Sequence, residues 1–263
     1  MSGEGADRAL DFELLGAEVA MGSTPILRGV DLSIAEGEAV ALVGPSGAGK
    51  TTLLRVLAGA FAPSGGAVRI QGQSMAERSK HERRALRARV GFVHQDHALV
   101  PVQSVLANVL AGRLGRWGSL RGPWRVLFPG RALQTEVHRV LTRVGIGDTL
   151  FRRVDTLSGG QQQRVAVARA LFQEPSAILA DEPVSSVDPE RARTTLELLL
   201  SVARERGATL IVSLHDIELA RALFPRVIGI RAGGIAFDRD PTELSRSELA
   251  DLFRGSAQEG TER

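Results

Sequence analysis

An α/β fold carrying an inserted helical subdomain is what this sequence predicts, on three observations. Short apolar runs alternate with helical spacing after residue 176, a glycine-rich loop joins a strand to a helix near residue 44, and strand signals fade between about 98 and 156. In order along the chain, alternation in "GVDLSI" places Val30, Leu32 and Ile34 on one face of an early strand. "AVALVG" is a short buried strand running into glycines, and "KTTLLRVLAGA" has helical spacing that ends at Gly59. "AVRIQG" and "RVGFVHQ" return to strand character, after which "QSVLANVLAGRLG" and "RALQTEVHRVLTRVGIGD" read as helices. "SAILADEP" is a strand again, followed by a helix from about Pro189 to Arg206, the strand "ATLIVSLH", a helix from Ile217, and the strand stretch "RVIGIRAGGIAFD".

Composition narrows the functional classes. The 263 residues are 43% hydrophobic, enough for a sizeable core, but no run of about 18 apolar residues exists to span a bilayer. "MSGEGADRALDFELLG" carries acids where a signal peptide needs basic and then apolar character, so a cytoplasmic protein is expected. With no cysteine there is no disulfide or thiolate metal site, in keeping with a reducing compartment. A net charge of +3 does not indicate a global nucleic-acid surface. The first nine or so residues and the tail "GSAQEGTER" are expected to be disordered.

The chemistry concentrates in a few stretches. "GPSGAGKTT", comprising Gly44, Pro45, Ser46, Gly47, Ala48, Gly49, Lys50, Thr51 and Thr52, fits G-x-x-x-x-G-K-[ST] with a strand before it and a helix after it. Such a loop wraps phosphates in backbone N–H groups; Lys50 neutralises the β/γ oxygens and the Thr51 hydroxyl can ligate Mg²⁺. Lysine occurs only at positions 50 and 80, so the lysine of this motif is not one of many. "AILADEP" places Asp181 and Glu182 at a strand's C-terminal end, where open α/β sheets hold their ligands. Alone, such a pair is an ordinary helix cap or turn. Behind a phosphate loop, Asp181 suits a Mg²⁺ contact through water and Glu182 the polarising of an attacking water. Gln95 and His215 each end a strand, a place where such residues usually serve structure alone.

"LSGGQQQRVAVARAL" opens an amphipathic helix through a Ser-Gly-Gly turn, which is a second anion site 108 residues after Lys50. Taken together, the phosphate loop, Gln95, Ser158-Gly159-Gly160-Gln161, Asp181-Glu182, Asp188 and His215 resemble the ATP-binding-cassette ATPases over nearly the whole chain. The resemblance implies a P-loop NTPase (RecA-like) core at about 10–97 and 159–232, a helical subdomain at about 98–158, and an N-terminal antiparallel β-subdomain, all within one ATPase domain at 10–255. It also implies a homodimer in which Leu157 to Gln161 of each subunit closes on the γ-phosphate held by the other. "SSVD", ending at Asp188, would then cross the interface and His215 would contact the γ-phosphate. Gln95 would join the Mg²⁺ site to the helical subdomain and so to integral membrane permease subunits. Met21, in "EVAMGS", takes the place of the aromatic that commonly stacks on adenine; this chain has no Tyr.

"GRLGRWGSLRGPWRVLFPGR" holds five Arg, two Trp and no acid. It reads as a solvated arginine face with tryptophans over the core, as a contact for a membrane partner or lipid head groups, or as a weak nucleic-acid footprint. Within the family, this stretch, "ILADEPVSSVDP" with Ala180 before the Asp-Glu pair, and "SLHDIELA" look most like the ATPase subunits of phosphonate importers. That likeness implies a separate substrate-binding protein and a place at the cytoplasmic face of the inner membrane. Amino-acid import and lipid or lipoprotein export stand as alternatives. Relatives acting on DNA carry long coiled coils, and those acting on ribosomes two cassettes; neither fits this chain.

Overall fold

The structure, a computed structural model, describes residues 9–185 and 188–253. Apart from residue 9, the tails expected at 1–9 and 256–263 lie outside these residues, as do Ser186 and Val187 of the stretch before Asp188.

The chain opens with a hairpin, β1 (Phe12–Met21) and β2 (Thr24–Ile34), in which Phe12 faces Ile34 and Met21 faces Thr24. The alternation read in the sequence holds: Val30, Leu32 and Ile34 are buried, with exposed residues between them. β3 (Ala39–Val43) leads through the glycine loop into α1 (Lys50–Leu57). β4 (Gly65–Ile70) and β5 (Gln73–Ser74) return to the hairpin, giving an antiparallel sheet of order β2-β1-β4-β5. α2 (Lys80–Arg87) follows, begun by a reciprocal capping box between Ser79 and Glu82, and β6 (Val90–Val93) enters the second sheet.

Four α-helices lie between β6 and the next strand, α3 (Val105–Ala111), α4 (Leu114–Leu127), α5 (Arg131–Arg143) and α6 (Gly159–Phe172), with two 3₁₀ turns, Gly147–Thr149 and Val154–Thr156, between the last two. The helix expected over "QSVLANVLAGRLG" is broken near Arg113, whose guanidinium is held by the Phe172 carbonyl, Glu136 and Glu174. No helical spacing marks the Arg/Trp stretch, yet α4 runs through it with non-helical dihedrals at Gly118 and with Pro123 inside. α5 is shorter than its pattern, because Gly145 at φ 74 turns the chain.

β7 (Ala177–Asp181), α7 (Pro189–Arg206), β8 (Thr209–Leu214), α8 (Ile217–Leu223), β9 (Arg226–Arg231), β10 (Gly234–Arg239) and α9 (Arg246–Phe253) complete the fold. "RVIGIRAGGIAFD" is thus two antiparallel strands turning at Ala232-Gly233. The second sheet has the order β10-β9-β3-β8-β7-β6, parallel except for β10.

That sheet is buried on both faces, which is why its strands read as continuous apolar runs. In β3, Val40 and Leu42 join the cluster formed with α1 and the antiparallel sheet, whereas Ala41 and Val43 join the one formed with α6, α7 and the inserted helices. The insert therefore shares a core with the sheet. With β3, β8, β7 and β6 adjacent and parallel, the loops leaving their C-terminal ends open on one edge of the sheet.

Candidate active site

The loop between β3 and α1 needs glycine at particular places. A Cβ on Gly44 would lie 2.1 Å from the Ile230 carbonyl oxygen; one on Gly49, at φ 109, would lie 2.9 Å from the Leu27 side chain. Ser46, Gly47, Ala48, Gly49, Lys50, Thr51 and Thr52 line a cavity of about 390 Å³ together with Ile26, Gln95, Glu182 and His215. The buried Lys50 ammonium donates to the carbonyls of Gly44 (2.7 Å) and Pro45 (3.1 Å), and lies 4.0 Å from Glu182 Oε1. Burial pushes its pKa below the ordinary lysine value, and the Glu182 and Asp181 carboxylates act in the opposite sense.

Four strand ends thus meet at one place. From β7, the buried Asp181 accepts from Thr51 Oγ1 at 3.1 Å and from Ser213 Oγ at 2.8 Å. The next residue, Glu182, has φ 48, and its side chain is 10% exposed. Its Oε1 lies 2.6 Å from His215 Nε2 at the end of β8, and its Oε2 accepts from Gln95 Nε2 at 2.9 Å beyond β6. The turn of Glu182 is what lets two neighbours in sequence act at one site: Asp181 stays under Thr51 while Glu182 projects toward Lys50.

Other residues predicted for the site stand apart from this cavity. Ser158 caps α6: its hydroxyl accepts from the Gln161 N–H while the Gln161 side chain accepts from the Ser158 N–H. Ser158 and Gly159 are exposed, and Ser158, Gly159, Gly160 and Gln161 do not line the cavity of their own phosphate loop. Asp188 caps α7 by accepting from the Arg191 N–H at 3.0 Å. Met21, 57% exposed at the end of β1, does not line the cavity, whereas Ile26 does.

Among the described residues, no three His, Cys, Asp or Glu side chains converge as a metal cage. A hydroxyl against a carboxylate, as in Thr51 and Asp181, suits Mg²⁺, which takes one or two protein oxygens and fills its shell with phosphate and water.

Two contacts escape a reading of the sequence alone. Ser213 is a buried hydroxyl within an apolar strand, and its position next to a chemistry-bearing strand end was the only clue to it. Arg169, on α6, donates to the carbonyls of Ala98 (2.5 Å) and His97 (2.9 Å), so the helix that starts at Ser158 grips the segment just after Gln95. In the Arg/Trp stretch, Trp117 packs edge-on against Phe172 and Arg116 binds the carbonyls of Ala88 and Glu174, which is core-covering work. Trp124, Leu127 and Phe128 are instead 66–71% exposed, with Trp124 and Phe128 stacked.

Known proteins resemble this chain in sequence and in fold. The sequence profile of the ABC transporter family matches residues 27–185. A phosphonates import ATP-binding protein, PhnC, of Pseudomonas putida is 47% identical over 94% of this chain and 91% of its own. A second, PhnC 2 of Pseudomonas aeruginosa, is 50% identical over 86% and 84%. The dimeric ATP-binding cassette MJ0796, solved in a post-hydrolysis state with ADP and Pi, superposes with a TM-score of 0.75 at 31% identity, covering 88% of this chain and 98% of that one. The chain therefore belongs to the ABC transporter family, as one of its ATP-binding proteins.

Proposed function

We propose that this chain hydrolyses ATP to energise uptake of phosphonates, or a related phosphorus oxyanion, through a partner permease. What carries the catalytic part is the placement of Glu182, held by Gln95 and His215 at the mouth of the phosphate loop and 4.0 Å from Lys50. The loop amides and Lys50 hold the phosphates, and Thr51, Asp181 and Gln95 form the Mg²⁺ side of the site. When bound, the metal supplies charge neutralisation on the β- and γ-phosphates. Glu182 takes the proton of the attacking water, and His215, now bonded to Glu182, turns to the γ-phosphate.

Ser158, Gly159, Gly160 and Gln161 serve the phosphates of a second copy, a reading supported by the exposure of Ser158 and Gly159 and by the absence of all four from their own cavity. Asp188 belongs to the same interface, and Met21 lies toward the adenine. The domain at 10–255 acts as a unit in which the segment 98–158 passes motion to the permease, and the exposed Trp124, Leu127 and Phe128 supply surface for a partner. The assembled transporter includes a substrate-binding protein and places this chain at the cytoplasmic face of the membrane. No helix among the described residues is long and apolar enough to cross it. The substrate assignment rests on the two phosphonate importers described above.

Glu182→Gln tests the chemistry: turnover should fall about 10²- to 10⁴-fold while nucleotide binding persists and ATP traps a dimer. Near-normal hydrolysis would remove Glu182 as the base. Deleting the gene should abolish growth on a phosphonate as sole phosphorus source and spare growth on phosphate; undiminished growth on the phosphonate would contradict the substrate.

A further inference from the structure

Ser213 sits on β8 opposite Asp181 of β7 in the parallel register, with no exposed surface. Its hydroxyl donates to Asp181 Oδ1 at 2.8 Å and accepts from the Glu182 backbone N–H at 2.9 Å. A hydroxyl has one proton to give, so these two partners fix its orientation. Both bonds act on the turn that separates the two carboxylates. Glu182 is held there at φ 48, a left-handed conformation that a side chain with a Cβ adopts only when its surroundings impose it.

Packing alone does not call for a hydroxyl here. The neighbours in β8, Leu210, Ile211, Val212 and Leu214, are all buried and apolar, and an alanine or valine would suit the same apolar environment. Thr51 also donates to Asp181 Oδ1, so this oxygen is held from both sides, by α1 and by β8.

We propose that Ser213 is a positioning residue for hydrolysis: its hydroxyl ties the Asp181 side chain to the Glu182 backbone. One carboxylate is thereby kept against Thr51 and the other against Gln95, His215 and Lys50. Ser213 does not line the cavity and acts only through these two residues. The inference rests on the roles given above to Asp181 and Glu182. Loss of the hydroxyl should lower turnover by misdirecting Glu182 and weaken the metal response by freeing Asp181. It should leave metal-free nucleotide binding, which belongs to Lys50 and the loop, in place.

The test compares Ser213→Ala, Ser213→Thr and Ser213→Val in the full chain, with Glu182→Gln alongside. Threonine and valine match in shape and differ by the hydroxyl. For the alanine and valine variants, kcat should drop about 10- to 100-fold, the loss that a small misplacement produces, with KM for ATP changed by no more than about twofold. In a fluorescent-nucleotide titration, the Mg²⁺ concentration needed for half-maximal tightening should rise about tenfold, as on removal of an outer partner of a metal ligand. The threonine variant should retain most of both. A wild-type kcat and Mg²⁺ response in Ser213→Ala would overturn the proposal. So would an equal loss in the threonine and valine variants, or a fall in melting temperature with kcat per folded molecule intact. Hydrolysis by Glu182→Gln at the wild-type rate would instead sink the parent reading; an inactive Glu182→Gln beside an unimpaired Ser213→Ala would sink this inference alone.

Discussion

Arg169→Met should uncouple two parts of the site without touching either. The arginine lies in α6, far along the helix from Ser158, and its guanidinium holds the carbonyls of His97 and Ala98 at 2.9 and 2.5 Å. Those residues have φ of 60 and 45, so two consecutive strained residues are kept in place by one side chain. Methionine keeps the apolar stem and removes the donors. Hydrogen bonds from a charged group contribute about 1.5–3 kcal/mol each, and water can replace part of that at a half-buried position. A net loss of about 2–4 kcal/mol follows, or about 5–15 °C in melting temperature for a chain of this size. Because only Asp96 separates Gln95 from His97 and Ala98, the Gln95 contact to Glu182 should loosen as well, and ATPase activity should fall further than the folded fraction does. The paired assays are a thermal melt and steady-state hydrolysis at a temperature where the variant is fully folded. A melting temperature and turnover equal to wild type would refute the reasoning.

In the role proposed for it, Lys50 meets phosphate in both the bound and the reacting state, so Lys50→Ala should lower ATP affinity itself about 10- to 100-fold; unchanged affinity in a nucleotide titration would contradict that role. His94 and His97 should make the fold acid-sensitive. Burial pushes both below the ordinary histidine value near 6.5, and the Arg169 charge adds to the effect on each. Between the folded and unfolded pKa values the unfolded chain binds more protons, so stability is complete above about pH 6.5 and falls as pH drops through it, by up to about 1.4 kcal/mol per pH unit for each group. Urea melts from pH 8 to 5 should show this slope, and His94→Asn should reduce it; an identical slope in the variant would exclude His94 as a source.

Local chemistry made much of the site legible. Lys50, Thr51, Asp181 and Glu182 announce themselves because a phosphate loop and a strand-end carboxylate pair each need fixed residue types at fixed spacing. Ser213 and Arg169 act through contacts 32 and 72 residues away in sequence, and no local pattern records such pairings. In the fold, apolar strands buried on both faces were plain from runs such as "AVALV". α4 was not, since its glycines and Pro123 argue against a helix that packing against α3 and α2 nevertheless holds. α2 has only two apolar residues, the adjacent Ala85 and Leu86, too few to mark a helical repeat in the sequence, although Ser79 and Glu82 cap it in the fold. Asp188 and Ser158 illustrate the opposite limit: both are ordinary helix caps within one chain, and a second role becomes visible only if two chains meet.

The proposed ATP site is completed only where two chains meet. The sequence has no cysteine, so single cysteines can be introduced without competing thiols. Chains carrying Ser46→Cys, in the phosphate loop, would be mixed with chains carrying Thr156→Cys, just before Ser158, and treated with a short bifunctional maleimide. With a non-hydrolysable ATP analogue and Mg²⁺, a crosslinked heterodimer should form, and it should vanish without nucleotide. Absence of the heterodimer under nucleotide, with crosslinks confined to single chains when both cysteines share one chain, would contradict a site completed across two subunits.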